Sequence, residues 1–153
     1  MVKKSASPAG EDVLKEIKNK LSEKILKIFQ KSPRRIYIDL KPEDILASAS
    51  FIFKDLKARF VIASGVDTRE HIEILYHFAF DRLDKIISLR THLDRKNPEI
   101  ESLASIIRGA EWIEREIHEL LGVNFRNHPK LKKLLLPDDW PKNKYPLRRD
   151  YRG

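Results

Sequence analysis

Five histidines and no cysteine fix the chemistry that this chain can attempt. His71, Glu73 and His77 fall in the stretch HIEILYH, where a strand would turn all three to one face, and His92 lies on a later stretch able to pair with it. Imidazole and carboxylate together are ligands for a divalent metal. His71 and His77 would nevertheless stand about 20 Å apart along a strand, too far to hold one ion unless the strand bends sharply. These residues therefore read as histidines on a half-exposed sheet face or beneath a partner, and no metal site is expected. Glu114, Glu116 and His118 have the types of a general acid and base, but neither a nucleophile nor a glycine-rich phosphate cradle accompanies them, so no catalytic residue is expected. Without thiols the chain forms no disulfide, thiolate zinc site or ordinary iron–sulfur cluster. Redox chemistry must belong to another protein.

The elements that would carry these side chains follow from periodicity. A chain of 153 residues, 41% of them apolar, supports one domain with a real core. Glu11 to Lys31 places Val13, Leu14, Ile17, Leu21, Ile25, Ile28 and Phe29 at helical spacing, which predicts one amphipathic helix. Ser32–Pro33 stops it, Arg35–Leu40 reads as a short strand, and Pro42 opens a second helix to about Leu56. Arg59–Val66, His71–Phe80 and Lys85–Leu93 read as an antiparallel meander, with Ile72, Ile74, Tyr76, Phe78 and Phe80 on one apolar face. Asn97–Pro98 and Gly122 bound a predicted helix over 98–121, whose apolar arc runs through Ile100, Leu103, Ile106, Ile107, Ala110, Ile113, Ile117, Leu120 and Leu121. The expected fold is α+β, an antiparallel or mixed sheet packed against helices, with an extended C-terminal arm. Residues 1–10 read as a disordered terminus, 11–122 as the α+β domain and 123–153 as the arm.

Two residues break the pattern of the last helix. Glu114 falls inside the apolar arc, where a carboxylate requires a partner. An arginine such as Arg59, Arg90 or one in the arm would lock the helix to its neighbours; the alternatives are a bend that lets the acid reach water and an i,i+4 contact with His118. Trp112 projects instead with Glu101, Ser105, Arg108, Arg115, Glu116 and Glu119 on the face turned from the core. It reads either as an interface anchor or as a residue covered by its own arm.

The arm holds most of the charge asymmetry. Residues 123–153 have nine basic and three acidic residues, leaving 22 and 20 for residues 1–122 out of the chain's 31 and 23. Pro129, Pro137, Pro141 and Pro146 exclude a continuous helix or central strand. Phe125, Leu131, Leu134, Leu135, Leu136, Trp140, Tyr145, Leu147 and Tyr151 need cover, so the arm should wrap this domain or lie across other proteins. Abundant Lys, Glu and Ile with a single Met fits a hyperthermophile's surface. No run approaches the roughly 20 apolar residues of a membrane span, and the N-terminus lacks a signal-peptide core, so a cytoplasmic protein is expected.

Glu114–Arg115–Glu116, Gly122–Val123, Phe125, Asn127–His128–Pro129, Leu131–Lys132–Lys133–Leu134–Leu135–Leu136 and Tyr145–Pro146–Leu147–Arg148–Arg149–Asp150–Tyr151 follow the order and spacing of a signature. This region resembles the NADH dehydrogenase C-subunit family of respiratory complex I, including the corresponding subunits of membrane-bound hydrogenases and related archaeal respiratory complexes. With HIEILYHFAF and IISLRTHLDR the likeness covers about residues 35–151. The chain has Glu119 and Leu121 where the family commonly shows an Asp and an aromatic, and Lys130 where an acid is usual.

The resemblance implies an accessory subunit that is not an enzyme on its own and binds no cofactor. It would clamp a hydrogenase-large-subunit-like catalytic protein and a small iron–sulfur subunit, beside a ferredoxin-like iron–sulfur subunit, on the cytoplasmic face of the membrane. Iron–sulfur clusters and any metal or quinone site would lie in those partners. The interface residues it implies, together with the reading of the arm, are Trp112, Glu114, Arg115, Glu116, Gly122, Phe125, His128, Pro129, Leu136, Pro137, Trp140, Tyr145, Pro146, Leu147, Arg148 and Arg149. The short chain, ending soon after its Pro-Leu-Arg element, favours a hydrogenase-type archaeal complex. The reading from another class is a nucleic-acid-binding module using the basic aromatic arm, motivated by the net charge of +8. The near-neutral charge of residues 1–122 weighs against it. Membrane association through the amphipathic first helix is opposed by the Glu and Lys mixed on its polar face.

Overall fold

The computed structural model describes residues 8–132 and 134–152. Residues 1–7, most of the stretch read as a disordered terminus, lie outside the described residues, as do Lys133 and Gly153. Helix α1 (Pro8–Leu21) is followed by strands β1 (Ile25–Gln30) and β2 (Arg35–Leu40). A 3-10 turn (Pro42–Asp44), helix α2 (Ile45–Ser50) and a π turn (Phe51–Asp55) form one helical run. Then come β3 (Arg59–Asp67), β4 (His71–Phe80), β5 (Lys85–Asp94), β6 (Glu99–Glu101), α3 (Ala110–Leu121) and β7 (Asn124–Arg126).

The main sheet has the order β1-β2-β5-β4-β3. Within it β2 and β5 run parallel and the other neighbours antiparallel, so the α+β fold carries a mixed sheet. Register places Ile36 beside Ile87 and Ile38 beside Leu89, while Tyr76 and Phe78 stand beside Leu89 and Ile87 from the other side. These side chains join Ile17, Leu21, Ile45, Ile52, Ile117 and Leu121 of the helical segments in one buried core. The opposite face carries Asp39, Glu73, His77, Arg90 and His92, half-buried or exposed.

Two expected helices are shortened. The helix predicted over Glu11–Lys31 ends at Leu21, and its second half becomes β1, an edge strand. A bulge between Ile25 and Lys27 lets Ile25 and Ile28 turn the same way, which imitates helical spacing. The helix predicted over 98–121 begins at Ala110. Upstream of it, β6 pairs in parallel with β7, setting Ile100 against Phe125, both fully buried. Ser102 then diverts the chain: its hydroxyl accepts the Ala104 N–H at 3.0 Å, a local bond that competes with helix formation.

Candidate subunit interface

Helix α3 lies against β3, and its placement depends on Gly65. A Cβ there would come within 2.7 Å of Leu121 Cδ1 and 3.2 Å of Ile117 Cγ2, so the glycine permits the close approach. At the other end Gly122 adopts φ +77, and a Cβ on it would meet the Tyr145 ring at 2.6 Å. Gly122→Ala combines a left-handed backbone with a displaced ring, so it is expected to cost at least about 1–2 kcal/mol in a urea titration. An unchanged midpoint would show that Tyr145 does not pack there.

Glu114 is 0% exposed and has three donors among the described residues. The Tyr76 hydroxyl donates to Oε2 at 2.7 Å, the Ser102 hydroxyl to Oε1 at 2.6 Å and the Leu103 N–H to Oε2 at 3.0 Å. Burial pushes its carboxyl above the ordinary range, against these donors, which favour the ionised form. Burial, then the neighbouring Glu114, drives the Tyr76 hydroxyl well up, so it stays a donor. Glu114 thus has the partner that its position demanded, but the partner is not an arginine: the predicted arginine pairings are corrected to three neutral donors. The i,i+4 alternative is also replaced, since His118 Nδ1 donates to the Val123 carbonyl at 2.7 Å.

Glu119, expected to face outward, is 6% exposed because the arm crosses it. Its carboxylate accepts the successive N–H groups of Leu134, Leu135 and Leu136 at 2.9, 2.7 and 3.0 Å. Arg115, expected on the same outer face, is also buried; its Nε donates to the Lys132 carbonyl at 3.1 Å, and its guanidinium lies 5.2 Å from the Trp112 ring centroid. Backbone amides as partners leave no trace in side-chain pattern, so the role of Glu119 is invisible to sequence reasoning.

The rest of the arm folds back onto its own domain. His128 Nε2 donates to the Glu111 carbonyl at 2.9 Å, while its Nδ1 accepts the Lys130 N–H at 3.0 Å. The Leu147 N–H reaches the Leu120 carbonyl at 3.0 Å, and Arg148 Nε reaches the Leu121 carbonyl at 2.6 Å. These donors serve the free carbonyls at the end of α3. The Arg149 N–H donates to Asp67 Oδ2 at 2.7 Å, tying the arm to the end of β3. Trp140 stacks with Tyr151 at 6.2 Å between ring centroids and donates to the Lys144 carbonyl at 2.8 Å.

The expected interface residues therefore divide by depth. Glu114, Arg115 and Phe125 are interior, and Gly122 is a packing point, so these four shape the surface from beneath. Glu116, His128, Leu136, Trp140, Tyr145, Pro146 and Arg148 are half-buried, whereas Pro129, Pro137 and Arg149 are exposed. Trp112 and Leu147 remain 61% and 58% exposed. Trp112 is thus not covered by its own arm. Between β3 and α3 runs a groove lined by Ile62, Ile113, Glu116, Leu120 and Leu147, with Gly65 and Ile117 among its further lining residues. Ile62 and Val66, 48% and 47% exposed, are the apolar residues of β3, the other edge strand, that register turns to the face of Glu73 and His77, away from α3. Sequence reasoning misses these edge-strand residues, because alternation alone does not reveal which strand lies outermost.

Residues 38–153 match the family described as respiratory-chain NADH dehydrogenase, 30 kDa subunit. Over 92 residues the chain is 47% identical to the C subunit of the F(420)H(2) dehydrogenase of Methanosarcina mazei, a match covering 59% of this chain and 58% of that protein. It is 31% identical over 123 residues to the C subunit of the NADH-quinone oxidoreductase of a Nocardioides species, covering 76% of this chain and 48% of the other. The matched region thus spans about half the length of these curated relatives. A chain in the solved structure of the membrane-bound sulfane sulfur reductase, an archaeal respiratory membrane complex, has the same fold, with a TM-score of 0.79, 23% identity, and coverage of 94% of this chain and 86% of that one.

Proposed function

The chain belongs to the 30 kDa subunit family of respiratory-chain NADH dehydrogenases, and we propose accordingly that it is an accessory subunit of a membrane-associated, complex I-like respiratory assembly. It has no redox cofactor of its own in this reading. It holds a hydrogenase-large-subunit-like catalytic protein and a small iron–sulfur subunit together, next to a ferredoxin-like iron–sulfur subunit, at the cytoplasmic face. Clusters and any quinone site belong to those partners. No described helix is long and apolar enough to cross a membrane.

The strongest support is Trp112, which stands 61% exposed on a helix whose neighbouring positions are locked from beneath. Glu114 ties α3 to the sheet, Glu119 and Arg115 tie it to the arm, and Arg115 also flanks the Trp112 ring. An exposed aromatic on a helix fixed from beneath, one turn from the groove residue Glu116, is the arrangement expected of an interface anchor. Basic residues of the exposed arm would steer the subunit onto acidic partner surfaces. Arg148 already serves carbonyls of its own domain, which leaves less of the arm for nucleic acid.

Trp112→Ala is expected to shift unfolding by no more than about 0.5 kcal/mol, yet to weaken retention in the assembly by roughly thirtyfold or more. A pull-down of the solubilised complex on tagged variants reads the second quantity, and Leu147→Asp should act in the same direction. Full retention by both variants would refute this surface as the docking site.

A further inference from the structure

We propose that His71, Glu73 and His92 form a binding site for a divalent transition metal of the zinc class, on the sheet face opposite the core. Spacing within one strand argues against a site because it pairs His71 with His77; the sheet groups the ligands differently. Glu73 stands directly across from His92 in the β4–β5 register, and His71, two residues before Glu73, shares its face. One ligand atom from each of the three lies within 4.8 Å of the other two.

The nearest pair already has almost the required bite. His92 Nε2 is 3.1 Å from Glu73 Oε1, while oxygen and nitrogen bound tetrahedrally to one zinc at about 2.0–2.1 Å stand roughly 3.4 Å apart. His71 completes the set by side-chain rotation, its ring centroid being 3.8 Å from that of His92. Two imidazoles and one carboxylate supply three ligands and leave a coordination position for water or a partner side chain. Arg90 is the competing cation, at 3.9 Å from Glu73, but its guanidinium is committed to Asp39 through bonds of 2.7 and 3.1 Å. His77 is committed elsewhere: Nδ1 lies 2.6 Å from the Ser88 hydroxyl and Nε2 3.2 Å from that of Ser64. Zinc is redox-silent, so such a site would act by cross-linking β4 and β5 or by recruiting a partner ligand, independently of electron transfer.

The test uses the full chain, stripped with a chelator and titrated with Co2+ under visible absorption spectroscopy, followed by displacement with Zn2+. One equivalent should bind with the visible bands of a low-coordinate site. His71→Ala and His92→Ala should each weaken binding at least about tenfold, since loss of even an outer-shell partner costs that much, and His77→Ala should leave it unchanged. Circular dichroism melting checks each fold; if a histidine variant fails to fold, Glu73→Gln supplies the decisive comparison. Failure of the wild-type chain to take up Co2+, or equal affinity in the triad variants, would overturn the proposal, the latter by placing the metal on histidines such as His118 or His128.

Discussion

Glu114→Ala is expected to lower stability by about 3 kcal/mol or more, because it strands the Tyr76 hydroxyl, the Ser102 hydroxyl and the Leu103 N–H in a site with no exposure. Glu114→Gln should cost far less. Its amide oxygen can take the place of Oε2, accepting from Tyr76 and Leu103, and its amide nitrogen can donate to a Ser102 hydroxyl turned to accept. The two variants separate hydrogen bonding from charge.

They also differ in pH dependence. Burial raises the folded-state carboxyl above its unfolded value, so the folded chain binds the proton more tightly. Stability from this group is complete below the unfolded glutamate value of about 4.3 and is lost as pH rises through the raised folded value. Urea midpoints measured from about pH 4 to pH 8 should therefore fall by this contribution in the wild type, and Glu114→Gln should remove it. A Glu114→Ala variant within about 0.5 kcal/mol of wild type would mean that the acid is solvated.

Phe125→Ala is the second large effect, expected at about 3–5 kcal/mol for an aromatic removed from a closed site. Phe125 is 1% exposed, pairs with Ile100 across the β6–β7 ladder, and is followed by the arm. Ending the chain after Gly122 would remove Phe125 and the fully buried Val123 together, so the domain needs the start of the region expected to be a docking arm. Leu135→Ala, at a position 62% exposed, should change stability by less than about 0.5 kcal/mol. Equal effects of the two substitutions would contradict the placement of β7.

The contrast between Phe125 and Leu135 shows where sequence is informative. Strands β2 to β5 are legible because strict alternation, as at Ile72, Ile74, Tyr76 and Phe78, coincides with a face that is buried. Gly122 is legible because few residues other than glycine accept its backbone geometry. β1 is hidden by a bulge that gives a strand helical spacing, and β6 by Ile100, Leu103 and Ile107, which satisfy a helical arc although a turn separates them. At the interface, the anomaly of Glu114 is visible but its donors lie 38, 12 and 11 residues away. Trp112 is recognisable because a large aromatic on a charged face has no local explanation. The closeness of His71, Glu73 and His92 depends on register between two strands, which residue spacing within one strand does not encode.

Membership of a working respiratory assembly can be read from mass spectrometry of the proteins that co-purify with this chain from native membranes in mild detergent. Recovery with a hydrogenase-large-subunit-like protein and iron–sulfur subunits in constant ratio is expected, together with their loss from Trp112→Ala. Recovery of the chain alone, or with nucleic acid, would rule out the accessory role.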